Sequence, residues 1–198
     1  GITVLVTFCI TFVPFFYTIK SIFNNTVLFF ITSKPSLDSL SLVGFFYKLD
    51  INSGKKTSIL TNDGAYEVEL SPDETKLAIR YSYMNKPWEV YVADNKSNPI
   101  LKQITFSTST EFKKYNWKTP EVISFKATDG TDVYARVYNP KAENKNKAAI
   151  IFVHGAGYLQ NAHNYWSSYH REFMFNNLLA DLGYTVLDID YRASDGYG

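Results

Sequence analysis

The rhythm of apolar and polar positions changes along the chain, and each change predicts a different element. Past Val43, short aromatic and β-branched runs are punctuated by turn residues. Phe45-Phe46-Tyr47-Lys48-Leu49-Asp50 predicts a strand, Asn52-Ser53-Gly54-Lys55 a turn, and residues 57–60 a second strand. Trp88-Glu89-Val90-Tyr91-Val92 predicts a strand closing near Asp94, with a turn over 95–99 and a strand over 100–104. Between them, Ser71-Pro72-Asp73 predicts a tight turn, because Pro presets φ and Asp bonds its own backbone, and a strand over 76–81 follows it. Residues 120–127 and 132–138 flank Thr128-Asp129-Gly130 as a hairpin. In the second of these, Val133, Ala135 and Val137 alternate with Tyr134, Arg136 and Tyr138, the pattern of a half-buried strand.

The pattern then changes class. Ala148-Ala149-Ile150-Ile151-Phe152-Val153 is continuously apolar, which predicts a parallel strand covered on both faces. A helix is expected over roughly 170–182, with Phe173, Leu178, Leu179 and Leu182 on one face and Gly183 as its stop. Residues 184–189 predict a second buried strand. Strand, helix, strand implies a right-handed crossover and an α/β sheet.

Two of the strand units repeat. Tyr47 matches Tyr91, Asp50 matches Asp94, Ser53 matches Ser97, and Leu60-Thr61 matches Ile104-Thr105, each pair 44 residues apart. Repeats of about 40 to 50 residues built of short strands are the mark of propeller blades, with an unrelated β-meander as the plain alternative. The opening differs from everything after it. No Asp or Glu occurs before Asp38, and Ile2 to Thr18 carries no charge. A membrane or signal segment, buried propeller strands, or a sequence artefact all fit residues 1–42. Pro14, the β-branched content and the lack of a basic leader weaken the first.

Composition narrows the function classes. The 198 residues carry a net charge of +1 with no basic stripe, so nucleic acid is not expected as a partner. Aromatics make up 17%, which favours strands. The single cysteine, Cys9, pairs with nothing inside the chain, no Cys/His spacing suits zinc, and neither metal nor cofactor is expected. His163 and His170 have no matching carboxylate pattern, and Ser167 and Ser168 lie on no nucleophile turn. Asp188 and Asp190 share a strand face and are expected to serve as structural hydrogen-bonding groups.

The candidate chemistry follows the buried strand. His154-Gly155-Ala156-Gly157 leaves its carboxyl end, where small residues let backbone N–H groups approach a developing oxyanion. Alone, the same tetrapeptide fits a plain strand-to-helix turn. Together with Asp190-Tyr191-Arg192-Ala193-Ser194-Asp195-Gly196-Tyr197-Gly198 after the next strand, it resembles the prolyl oligopeptidase family of serine peptidases, in its dipeptidyl-peptidase IV-like and acylaminoacyl-peptidase-like bacterial branches. Ala193 stands where the family has glycine.

The resemblance implies a β-propeller fragment followed by the amino-terminal part of an α/β-hydrolase domain. Its expected boundaries are 1–42 of open nature, 43–106 blades, 107–119 linker and 120–198 hydrolase. It implies a peptide substrate, an oxyanion loop of His154, Gly155, Ala156 and Gly157 with the Ala156 amide as donor, and Arg192 bracing loops around the site. No Gly-x-Ser-x-Gly occurs in the chain, so the Ser, Asp and His of the family triad are expected beyond Gly198. On this reading both ends are cuts, and the piece alone is inactive and prone to aggregate. A homodimer of the full protein is open, as is membrane attachment, and a periplasmic, secreted or membrane-anchored site is favoured over the cytoplasm. The rivals are an esterase of the same nucleophile logic and a non-catalytic propeller-based binding protein.

Overall fold

The computed structural model describes residues 16–23, 27–34, 43–50, 52–155 and 159–194. These form mostly β structure with few helices, in two compact units. Among the described residues no sheet closes on itself, and no helix is long and apolar enough to cross a membrane.

The first unit holds two four-stranded sheets, each in sequence order. Strands β1 (Phe16–Phe23), β2 (Val27–Lys34), β3 (Val43–Asp50) and β4 (Lys56–Leu60) pair successively antiparallel. The uncharged opening run therefore reaches the described residues only at its end, in β1. Strands β5 (Ala65–Leu70), β6 (Lys76–Tyr83), β7 (Lys86–Asp94) and β8 (Lys102–Gln103) form the second sheet. The 44-residue offset thus relates the third strand of each sheet, with Tyr47 on β3 and Tyr91 on β7. The expected strand over 100–104 shrinks to β8, with Ile100 89% exposed.

Alternation along β5 and β6 buries Tyr66, Val68, Leu77 and Ile79 against Phe46, Ile59 and Leu60, while Glu67 and Glu69 face outward. The turn between them is locked by Asp73, which accepts from the Ser71 hydroxyl (2.6 Å) and the Thr75 amide (3.2 Å).

The second unit carries a mixed sheet in the order β11-β12-β10-β9. Here β9 is Glu121–Lys126, β10 Asp132–Tyr138, β11 Ala149–Val153 and β12 Thr185–Asp190. β11 and β12 run parallel, and the other pairs are antiparallel. The connection between the parallel strands contains helix α2 (His170–Asp181). Gly183 ends it at φ +97°, where a Cβ would sit 2.1 Å from the Asn144 carbonyl oxygen, so the turn back to β12 requires glycine.

Two expectations are corrected here, and the expected linker gains an element. β11 is not covered on both faces: it is an edge strand, with Ile151 63% and Val153 56% exposed, because α2 packs on β12 and β10. The buried stripe of α2 is Phe173, Asn176, Asn177 and Ala180, while Leu178 and Leu182 are exposed. Asn177 faces inward because it is needed there: its Oδ1 accepts the Lys118 amide (2.8 Å) and its Nδ2 donates to the Phe173 carbonyl (2.9 Å). The stretch 107–119, expected as a polar linker, holds helix α1 (Thr110–Lys114), whose Ser109 cap accepts from the Phe112 amide. Phe112 and Trp117 then stack on one another and meet Trp166 and Phe173. Its few aromatics decide its fate, not its polar majority.

Candidate active site

His154 is the first residue after β11, and Asp190 is the last residue of β12. Register makes them neighbours: Val153 lies opposite Ile189, so both chains leave the sheet at the same end. Asp188 and Asp190 point to one face, as the period of a strand requires, and both are buried.

Asp190 collects donors from both sides of the segment that follows β11. Its Oδ1 accepts from the Asn161 amide (2.8 Å) and lies 3.2 Å from His154 Nε2, and its Oδ2 accepts from the Ala162 amide (2.9 Å). Asp188 completes the arrangement. Its Oδ1 accepts from Asn161 Nδ2 (2.9 Å) and its Oδ2 from Arg136 Nη2 (2.7 Å), directly across the β10–β12 register. Burial alone opposes the Arg136 charge, but Tyr138, Asp188 and Asp190 around it outweigh that and hold its pKa above the ordinary value. Burial, and then the Arg136 charge, push the pKa of His163 well below its ordinary value. His163 stacks on Tyr165 with ring centroids 3.6 Å apart.

Ser194 enters the same cluster. Its Oγ lies 3.2 Å from His154 Nε2, so serine, histidine and aspartate meet in one buried place. The geometry is not that of a proton relay. In a catalytic triad the serine and the aspartate face opposite ring nitrogens. Here both face Nε2, while Nδ1 faces the Gly155 carbonyl oxygen at 3.1 Å. The Ser194 hydroxyl also donates to the Tyr191 carbonyl (2.7 Å).

Of the residues singled out from sequence, His154 is 3% exposed and Gly155 is exposed at the strand exit. Ala156 and Gly157 lie outside the described residues, as does 195–198. Arg192 is exposed and pairs with Asp129 in the β9–β10 turn, Nη2 to Oδ2 at 2.6 Å. The Thr131 amide, then its hydroxyl, then Arg192 hold the Asp129 carboxyl below its usual range. Ser167 is buried, with its Oγ accepting the Tyr169 amide, and Ser168 is exposed. Among the described residues no His, Cys, Asp or Glu cluster could hold a metal ion.

Sequence reasoning missed Asn161, the Ala162 amide and Arg136. Asn161 and Ala162 sit in a polar run with no motif, so nothing in the pattern flags them. Arg136 reads as the outward residue of an alternating strand, yet it is 1% exposed.

No family model matches the chain. It is 28% identical to an uncharacterized peptidase, YuxL, of Bacillus subtilis over 134 residues, 65% of this chain and 19% of that protein. It is 31% identical to human dipeptidyl peptidase 8 over 81 residues, 40% of this chain and 9% of that protein. The crystal structure of Porphyromonas gingivalis dipeptidyl peptidase 4 has a similar fold, with a TM-score of 0.68 at 19% identity, covering 91% of this chain and 25% of that one. The chain thus spans a quarter or less of the length of each of these relatives.

Proposed function

We propose, from the premise that this chain is a relative of the prolyl oligopeptidase, dipeptidyl-peptidase IV-like peptidases, that the whole protein hydrolyses short peptides with a serine nucleophile. Residues 154–157 form the oxyanion side of that site. The nucleophile turn, absent from residues 1–198, is supplied by the rest of the protein together with the partner Asp and His. Attack of the serine on the scissile carbonyl puts negative charge on its oxygen, and amides just past β11 donate to it there, most strongly in the transition state. By the family resemblance the Ala156 amide is the donor. Arg192 acts at a distance, tying the loop after β12 to the β9–β10 turn through Asp129.

The two sequential four-stranded sheets of the first unit are read as propeller blades that limit substrates to short peptides. The mixed sheet is read as the opening of an α/β-hydrolase domain. The observation that carries this reading is the exit of His154 and Gly155 from the carboxyl end of a strand paired in parallel with its neighbour, the position at which α/β enzymes bind ligands.

The test is expression of the complete reading frame, followed by turnover of a proline-containing chromogenic dipeptide and of a simple acyl ester, with a fluorophosphonate to label a reactive serine. Dipeptide turnover with stoichiometric labelling is expected. Ester turnover alone would make the protein an esterase, and neither turnover nor label would make it a non-catalytic binding protein.

A further inference from the structure

We propose that Asp190 is a positioning residue whose buried carboxylate ties His154, at the exit of β11, to the Asn161 and Ala162 amides, and so fixes the strand exit on which the proposed oxyanion side stands. This rests on the function proposed above.

The carboxylate is built to do this. It is 2% exposed and stands at the end of β12, a strand flanked on both sides by β10 and β11. Its base is therefore fixed by the β10 ladder, which reaches Asp190 itself, and by the β11 ladder, which ends at Ile189. Its two oxygens take two consecutive amides, Asn161 on Oδ1 and Ala162 on Oδ2, and Oδ1 also meets His154 Nε2. Residues seven and eight positions apart along the chain are thus tied to one group. Asn161 is held a second time, through its side chain, by Asp188. Hydrogen bonds to a buried charge are shorter and about twice as strong as neutral ones, which makes this a stiff connection. On this reading Asp190 acts through the segment it holds.

Asp190→Asn is the informative change because it keeps the shape. The amide replaces one acceptor oxygen with a donor that confronts a backbone N–H, so either the Asn161 or the Ala162 amide loses its acceptor and the 161–162 end is held less firmly. A group displaced by about 1 Å costs on the order of 100-fold in rate. Since the oxyanion forms only in the transition state, the loss should appear in kcat with KM little changed.

The experiment has two arms. In the whole protein, amide hydrogen exchange is followed in wild type and Asp190→Asn. Exchange at Asn161 or at Ala162, whichever amide meets the new NH2 group, should quicken at least about tenfold while β10 and β12 stay protected, as expected for loss of a local hydrogen bond. In the whole protein, kcat toward the dipeptide should fall about 100-fold with KM within about threefold. Unchanged exchange at 161 and 162, deprotection spread across β10 and β12, or a loss confined to KM would each overturn the proposal. A wild-type protein inert toward peptides would sink the peptidase reading instead, and the exchange arm would then decide the role of Asp190 by itself.

Discussion

Removing Arg136 alone should be far more damaging than removing it together with the charge of its partner. Arg136 and Asp188 are 1% exposed each, with Nη2 and Oδ2 2.7 Å apart. Arg136 Nε and Nη1 have no hydrogen-bond partner among the described residues, so much of the desolvation cost of the guanidinium is not returned. Arg136→Met leaves the Asp188 carboxylate with Asn161 Nδ2 as its remaining side-chain donor among the described residues, and breaking one side of a buried pair costs about 3–5 kcal/mol. Against a domain stability of about 5–15 kcal/mol, that is a large fraction. Asp188→Asn in addition removes the stranded charge and keeps an acceptor oxygen for Asn161 Nδ2. The double variant should therefore recover at least about half of the loss.

Urea denaturation followed by tryptophan emission reads this out, since Trp117 and Trp166 both pack on Phe173 in the same unit. With a slope of about 1.5 kcal/mol per molar urea, Arg136→Met should lower the midpoint by about 2–3 M. A single variant that costs less than about 1 kcal/mol, or a double variant less stable than the single, would refute the reasoning.

Two further outcomes follow from local geometry. Ala193 sits at φ +62°, a conformation that costs a non-glycine residue about 1–2 kcal/mol, so Ala193→Gly should raise the melting temperature despite the flexibility it adds to the unfolded chain; an unchanged or lower melting temperature would count against strain at this turn. His163 has its pKa well below 6.5 in the folded chain, so below that pH only the unfolded chain takes up the proton. Stability is then full above pH 6.5 and falls by up to about 1.4 kcal/mol per pH unit on acidification. His163→Phe, which preserves the stack on Tyr165, should flatten the denaturation slope between pH 6.5 and 5.5, and an equally steep slope in the variant would refute this.

Much of the fold was legible because short-range chemistry dictates it. The Ser71-Pro72-Asp73 turn, the hairpin around Asp129-Gly130 and the glycine stop at Gly183 are each fixed by a few neighbouring atoms, and they stand where expected. What escaped was decided by partners distant in sequence. Leu178 and Leu182 were expected on the inward face of α2, but that face includes Asn177, whose Oδ1 accepts the Lys118 amide. Ile151 and Val153 were expected to be buried because apolarity was taken for coverage, yet coverage depends on which strands α2 lies against. The site divides the same way. Residues 154–155 and Asp190 stand at the strand ends that local pattern assigns to them. Their connection through Asn161 and Ala162 is tertiary, made by backbone amides that have no sequence signature.

The open edge at β11 has a consequence for how the molecule behaves in company. Ala149, Ile151 and Val153 are exposed along a strand that, among the described residues, is paired on one side only, and no charged side chain interrupts the run from 149 to 153. Such an edge invites another molecule to add its own strand. Encounters of that kind grow with the square of concentration. The working life of a solution is therefore expected to shorten as it is concentrated, and Ile151→Lys, which sets a charge on this edge, is expected to lengthen it.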